Sequence, residues 1–389
     1  MIYIALTSIV LFYAVYMLLT IGIAWFYTSP DTTLSDSDHD VLVFFPMYKP
    51  GADAVMNLNR QKKELEHKNV KVLVLSQEAD SAIDAELARI ADYHKAESFS
   101  HLSGNSYHHA LAYAVRHIET LGQSFDSVLL LDPDNFMDQY SLQRLIASRS
   151  AGHDVGLSRR KSYAKETSTS LFDGLSERLN DYMLRRSKAV MGFHPELSGS
   201  GMLLDTNLFR NAVLKLDKKA PGMDKQLLIH MMLMKDDLQI SYDEDAVVLD
   251  EKTDQAASFN RQRLRWFGNQ YYNAYHYGRK LLTSRDSSLV DYGISLWRPP
   301  RSFQIVASVL LTPFDLYAYW MGWIHAPVLA VSAVISVVAI SLFLLKEDAF
   351  RMVVRQMLPM AGTALRNGWT ALHGSGSASG SFIHTRADK

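Results

Sequence analysis

The chain opens on a long apolar run. Residues 1 to 27 hold no charged side chain, and the first appears at Asp31. Wound into a helix, a run of that length crosses a bilayer core of about 30 Å. It has neither the basic n-region nor the short apolar core of a cleaved signal, so a retained transmembrane helix is expected over residues 1–27. Near the other end, Phe303 to Ile324 and Pro327 to Leu345 are apolar stretches joined at His325-Ala326, which predicts two more spans over residues 303–345. The middle of the chain follows a different pattern. Val41 to Phe45, Val70 to Leu75 and Ser127 to Leu131 are short apolar runs of the length of buried strands. Ala52 to Lys68, Ser81 to Tyr93 and Tyr107 to Leu121 lie among them with helix-like spacing. This alternation predicts an α/β architecture, a mostly parallel sheet with crossover helices. Ligands bind beyond the carboxyl ends of the strands in such sheets, so chemistry is expected in the polar residues that follow each run.

Charge sets the orientation. Arg298 and Arg301 precede the C-terminal pair of spans and Lys346, Arg351 and Arg355 follow it, while the turn between them has neither Lys nor Arg. The positive-inside rule then places the N-terminus and that turn outside a plasma or inner membrane, and residues 28–302 and the tail in the cytoplasm. Trp297, Trp320 and Trp323 suit the interfacial aromatic belts. Asp315 stands inside the second span, where a carboxylate is either functional or turned toward protein. A formal charge of −1 provides no field for nucleic acid, and the absence of cysteine excludes disulfides, thiolate nucleophiles and Cys-ligated zinc. The expected organisation is a transmembrane helix (1–27), a cytoplasmic α/β domain (28–270), interfacial amphipathic helices (271–302), two spans (303–345) and a cytoplasmic tail (346–389). The tail contains a Gly/Ser-rich linker from Gly374 to Ser381.

Several residues could carry chemistry. Asp132-Pro133-Asp134 follows the third short run; two hard carboxylates so spaced can hold Mg²⁺ or Mn²⁺, or can make an ordinary Asx turn. Tyr48 and Lys49 follow the first run. Glu78 and Asp80 follow the second, and either acid can accept hydrogen bonds from a base or ribose, or belong to a solvated loop and helix cap. Asp224 opens a helix-like run, as a cap or as a general base for a hydroxyl. Gln262-Arg263-Leu264-Arg265-Trp266 offers guanidinium forks for phosphate oxygens and a flat indole for a sugar ring, although such a run can also be plain basic surface. Ser198-Gly199-Ser200-Gly201 lacks the spacing of a phosphate loop, and His108-His109 would point about 100° apart on a helix, so neither is expected to carry chemistry. Neither a Gly-x-Ser-x-Gly elbow nor a His-Glu-x-x-His helix occurs.

Taken in order, Glu78/Asp80, Asp132-x-Asp134, Asp224 and Gln262 to Trp266 resemble the D, DxD, D, QxxRW series of family 2 glycosyltransferases, and in particular their membrane-integrated cellulose, hyaluronan and chitin synthase type. The resemblance extends over residues 40–270 and the flanking helices. It implies a GT-A fold, a nucleotide-diphosphate sugar donor (usually a UDP-sugar), Mg²⁺ or Mn²⁺, and inversion at the anomeric carbon. By the same resemblance Asp132 and Asp134 bind donor and metal, Tyr48 lies on the donor side, and Glu78 or Asp80 meets the nucleoside. Asp224 takes the acceptor proton, Gln262, Arg263 and Arg265 surround the diphosphate, and Trp266 stacks on the acceptor sugar. Phe382, Thr385 and Arg386 match in kind the gating loop of cellulose synthases. Two departures stand out. Ser76-Gln77-Glu78-Ala79-Asp80 replaces the usual aspartate pair, and Met223 stands where a Glu usually precedes the base.

The expected function is processive synthesis of an extracellular polysaccharide, with a glycan acceptor, membrane lipids and either a homo-oligomer or export partners. The alternative is addition of one sugar to a membrane lipid, as in ceramide glucosyltransferase, which has the same motif order. A non-catalytic scaffold is opposed by the intact acids, and three spans leave little for a transporter's path.

Overall fold

The computed structural model describes residues 2–31, 34, 38–66, 69–96, 106–120, 124–163, 167–251, 256–347, 349–355, 362, 363 and 365. The expected gating residues Phe382, Thr385 and Arg386 lie outside these. The chain runs through α1 (Ile2–Ala24), β1 (Val41–Tyr48), α2 (Ala52–Glu64), β2 (Val70–Gln77), α3 (Ser81–Ile90), β3 (Asp92–Ala96), α4 (Ser106–Thr120), β4 (Ser127–Leu130), β5 (Asn135–Met137), α5 (Gln139–Ser150) and β6 (Val155–Tyr163). It continues through α6 (Ser168–Asp181), a π-helical turn (Tyr182–Arg186), α7 (Ser187–Met191), β7 (Met202–Asp205), α8 (Thr206–Val213), α9 (Asp224–Met234) and β8 (Ile240–Glu251). Five helices follow: α10 (Ala256–Leu282), α11 (Ser287–Leu296), α12 (Arg301–Trp320), α13 (Val328–Lys346) and α14 (Phe350–Arg355). Two compact units result. Residues 28–164 and 194–252 form a sheet unit, whereas α1, residues 165–193 and the helices from α10 onward form a helical unit. In this division α6, α7 and α10 group with the apolar helices.

In the sheet unit eight strands lie in the order β3-β2-β1-β4-β7-β6-β8-β5. β1 runs parallel to β2 and to β4, with Val41 opposite both Val70 and Ser127. Its unbroken apolar sequence reflects burial on both faces by crossover helices, so that no polar alternation is needed. Val43, Phe45, Val74, Leu129, Leu203 and Val248 form the core on one side, closed by Leu58 of α2 and Leu87 of α3. The sheet is mixed, with four of its seven pairings parallel, β1–β2, β1–β4, β2–β3 and β6–β8. β7 is antiparallel to both β4 and β6, and β5 to β8. Antiparallel pairing of strands far apart in sequence leaves no mark on a local hydrophobic pattern. The stretch from Ser81 to Tyr93 also divides, with helix ending at Ile90 and a short parallel edge strand, β3, beginning at Asp92.

In the helical unit Met17, Ile21 and Ala24 of α1 pack with Leu175, Leu179, Tyr182, Phe343 and Leu344. Among the described residues two helices are long and apolar enough to cross a membrane, Tyr3–Ala24 and Val328–Lys346. The expected span from Phe303 to Ile324 is helical as α12, but it does not reach that threshold, because Gln304, Ser308, Thr312 and Asp315 interrupt its apolar run. These polar residues face protein. The Gln304 amide donates to the carbonyl of Val10 at 2.9 Å. Asp315 accepts from the Tyr3 hydroxyl and, at 3.0 Å, from the backbone N–H of Ala330 in the first turn of α13. It thus satisfies one of the orphan donors of that helix terminus, which answers how a carboxylate resides in this setting. The opposite surface is apolar, with Leu310 64 % and Trp320 77 % exposed while Asp315 is 1 % exposed.

Candidate active site

The sheet determines where the acids fall. β1, β2 and β4 are parallel neighbours, so Tyr48-Lys49, Glu78 and Asp132 all leave the same carboxyl edge. At the β1–β2 end the backbone is strained: Lys49 (φ 47°) and Glu78 (φ 55°) are non-glycine residues in the left-handed region. The Tyr48 hydroxyl donates to Glu78 Oε2 at 3.0 Å, and Lys49 Nζ lies 3.3 Å from the same oxygen. Burial, reinforced by that hydrogen bond, pushes the Tyr48 phenol above its ordinary value, so it remains a donor at neutral pH. Asp80 occupies a different position. It precedes α3 as its N-cap residue, and its carbonyl accepts from the Asp84 N–H at 2.9 Å.

β4 ends at Leu130 and the chain turns through Asp132 to Asn135, whose N–H donates back to the Asp132 carbonyl at 3.0 Å. Because β7 is antiparallel with Met202 opposite Leu130, the residues just before β7 arrive beside this turn. Ser200 Oγ accepts the Asp132 N–H at 3.0 Å, and the Gly201 N–H donates to the Leu130 carbonyl at 2.8 Å. Gly201 has φ 70°, and a Cβ there would fall on Ser158 Oγ and within 2.6 Å of Val248 Cγ2. The Ser198-Gly199-Ser200-Gly201 segment, which did not look like a phosphate loop, instead braces the acidic turn. A Gly-x-Gly immediately before a short apolar run was the available signal.

Among the described residues no group of three or more His, Asp or Glu gathers closely enough to hold a metal ion by itself. That composition fits a cation carried on one or two carboxylates plus substrate phosphates, the usual manner of Mg²⁺ and Mn²⁺. Asp132 and Asp134 would supply the hard oxygens, and the neighbouring Asn135 Oδ1 is buried with no hydrogen-bond partner among the described residues. These residues fit such an ion.

Asp224 is the first residue of α9, after Met223, which makes no side-chain capping bond. The loop before it is pinned by the buried Gln226, whose Oε1 accepts the Asp217 N–H at 2.9 Å. The next residue, Lys225, pairs at 3.3 Å with buried Glu196, on the same segment that carries Ser200. One segment therefore touches both the Asp132 turn and the start of α9. His108 and His109 are buried on α4, and burial pushes His108 down to about 4, against a weaker upward pull from the backbone of Asp217 and Gly222. The folded value lies below the ordinary one of about 6.5, so the folded chain favours the neutral ring. That contribution is complete above about pH 6.5 and is lost as the pH falls toward about 4, on the order of 3 kcal/mol. Thermal unfolding followed between those two pH values should show this loss, and His108→Leu should flatten it.

In the helical unit Gln262 to Trp266 lies on α10. Gln262, Arg265 and Trp266 share a face by their i, i+3 and i+4 spacing, whereas Arg263 and Arg265 point about 200° apart. Arg263 accordingly turns inward. It is buried, pairs with buried Asp173 of α6, and lies over the rings of Phe259 (4.8 Å) and Trp266 (4.3 Å). Helical geometry thus puts the two arginines on different sides of α10.

Comparison with known proteins bears on the family and the fold. A family model described as glycosyltransferase like family 2 matches residues 52–269. A solved mannosyltransferase from Pyrobaculum calidifontis, PcManGT in complex with GDP-Man and Mn²⁺, is similar in fold, with a TM-score of 0.55 and 12% identity over 95% of this chain and 99% of that one. S. aureus TarS matches at a TM-score of 0.40 and 13% identity, over 66% of this chain and 42% of that one, a likeness too slight to carry any argument. No curated protein matches.

Proposed function

Because this chain belongs to the glycosyltransferase-like family 2, we propose that it transfers a sugar, with inversion, from a nucleotide-diphosphate sugar to a hydroxyl acceptor at a membrane. The observation that carries this reading is the Asp132–Asp134 turn at the carboxyl edge of β4, braced by Ser200. In the reaction the acceptor oxygen bonds to the anomeric carbon as the bond to the diphosphate oxygen breaks, and the hydroxyl proton passes to Asp224. Asp132 and Asp134 would hold Mg²⁺ or Mn²⁺, which when bound would supply positive charge against the leaving diphosphate. By the motif series Gln262, Arg263 and Arg265 would contact the diphosphate and Trp266 the acceptor sugar; within the helical unit Arg263 pairs with Asp173 and lies over the Trp266 ring. The similar mannosyltransferase was solved with GDP-Man and Mn²⁺, so a GDP-sugar stands beside a UDP-sugar as donor.

For the nucleoside, the strained and doubly held Glu78 is the ligand, with Tyr48, and Asp80 is the N-cap residue of α3 by position, its side chain making no capping bond. Glu78→Gln should weaken nucleoside diphosphate binding by about tenfold, the scale of one charge-assisted hydrogen bond, while Asp80→Asn leaves it nearly unchanged. Calorimetric titration with GDP and UDP measures both.

We further propose that α1, α12 and α13 are a three-helix membrane anchor with the sheet unit cytoplasmic and the N-terminus outside. Supporting this, α12 is apolar on its exposed surface and polar where it meets α1 and α13, the reverse of a soluble helix. The acceptor is a growing glycan. One observation favours the alternative lipid acceptor: the polar groups Gln304 and Asp315 of α12 bond to α1 and α13 instead of lining a path. Membranes carrying the protein, given a panel of nucleotide sugars with Mg²⁺ or Mn²⁺, decide the acceptor. A ladder of soluble polymer supports the glycan reading, and a single sugar on extracted lipid replaces it.

A further inference from the structure

The acidic turn closes into a ring of hydrogen bonds that nothing in the motif series anticipates. Asn135 is fully buried and stands opposite Asp250 of β8 in the β5–β8 register. Its Nδ2 donates to Asp134 Oδ1 and to Asp250 Oδ1, each at 3.2 Å. Asp250 Oδ2 accepts from Arg160 Nη2 at 2.7 Å. Arg160 Nη1 donates to the Ser198 carbonyl at 3.0 Å, and the Ser198 hydroxyl donates to the Ser200 carbonyl at 2.8 Å. Ser200 Oγ accepts the Asp132 N–H, which returns the ring to the turn.

We propose that Asn135, Asp250 and Arg160 are positioning residues that preset the Asp132–Asp134 pair for its cation. The inference rests on the reading of those two acids as metal ligands. Two carboxylates brought together without a cation repel each other, so an unbraced turn would splay. Asn135 restrains Asp134 through a neutral donor. Asp250 fixes the Asn135 amide, and Arg160 balances the Asp250 charge so that the brace adds no further repulsion to the turn. Asn135 Oδ1 is buried and without a partner among the described residues. The order of strands makes this brace possible, since β6, β8 and β5 are adjacent and carry Arg160, Asp250 and Asn135. Outer-shell partners of this kind typically change metal affinity by about 10–100-fold when removed.

The test is titration of Mn²⁺ by electron paramagnetic resonance into the full-length protein in detergent, alone and with GDP or UDP. Asn135→Ala and the paired Asp250→Asn/Arg160→Gln variant, which removes both charges together, should each weaken Mn²⁺ binding by about 10–100-fold. Melting of the same samples separates this from a merely structural role, which lowers stability without changing the affinity of folded protein. Folded variants that keep Mn²⁺ affinity within about twofold of the parent, far less than an outer-shell effect, overturn the proposal. Failure of both variants to fold also overturns it, since the ring would then be structural. The reading beneath it has its own control: if Asp132→Asn leaves Mn²⁺ affinity unchanged, the metal assignment falls, whatever the ring does.

Discussion

Asp224→Asn is expected to lower sugar transfer by about 10²–10⁴-fold, the usual contribution of a positioned base, while nucleoside diphosphate still binds. The amide keeps the size and most of the hydrogen bonding of the carboxylate but cannot take the acceptor proton. Asp224 begins α9 next to a residue, Lys225, whose charge is already directed to Glu196, so the substitution leaves that buried pair intact. The loop before α9 is held by Gln226 and Asp217 backbone contacts that do not involve the Asp224 side chain. A loss of turnover with unchanged calorimetric binding would therefore isolate the proton-transfer step. Equal loss of nucleotide binding would place Asp224 on the donor instead.

Gly201→Ala should be the most destabilising single-methyl change in the sheet unit. Two costs add. At φ 70° an alanine sits in the left-handed region, about 1–2 kcal/mol, and its Cβ meets Ser158 Oγ and Val248 Cγ2, overpacking of about 1–3 kcal/mol. Neither neighbour can withdraw easily: Ser158 Oγ donates to the Gly201 carbonyl at 2.8 Å, and Val248 is buried in the core. Gly199→Ala is the internal control. Its φ of 86° carries the conformational cost, yet no atom lies within 4 Å of the added methyl. Denaturant unfolding of the two variants should separate them by the packing cost alone. The Gly201 variant should also weaken Mn²⁺ binding, because Ser200 and Gly201 both bond the strand end at Leu130 to Asp132.

The strands that position the acids were legible because each is an unbroken apolar run followed by a polar residue. β1, β2 and β4 appear within a few residues of where the pattern puts them, and Asp132 follows directly from the third run. Asp224 at a helix start was visible for the same reason. What remained hidden depends on pairing at long range. Arg160, Asp250 and Ser200 look like unremarkable polar residues until the β6, β7 and β8 registers bring them to the turn. The position of Arg263 was hidden in another way, because a linear motif does not say which side of a helix a residue takes; burial beside Asp173 does. Asp315 shows the converse: a charge in an apolar run reads as an anomaly, and only the packing of α1, α12 and α13 supplies its two donors.

The central claim is that the Asp132–Asp134 turn serves sugar-nucleotide chemistry. The most direct measurement is release of nucleoside diphosphate from a panel of GDP- and UDP-sugars by purified protein with Mn²⁺, compared with Asp132→Asn and Asp134→Asn. Turnover of at least one donor is expected, abolished by both substitutions without change in the melting of the sheet unit. Turnover that survives both substitutions would contradict the claim.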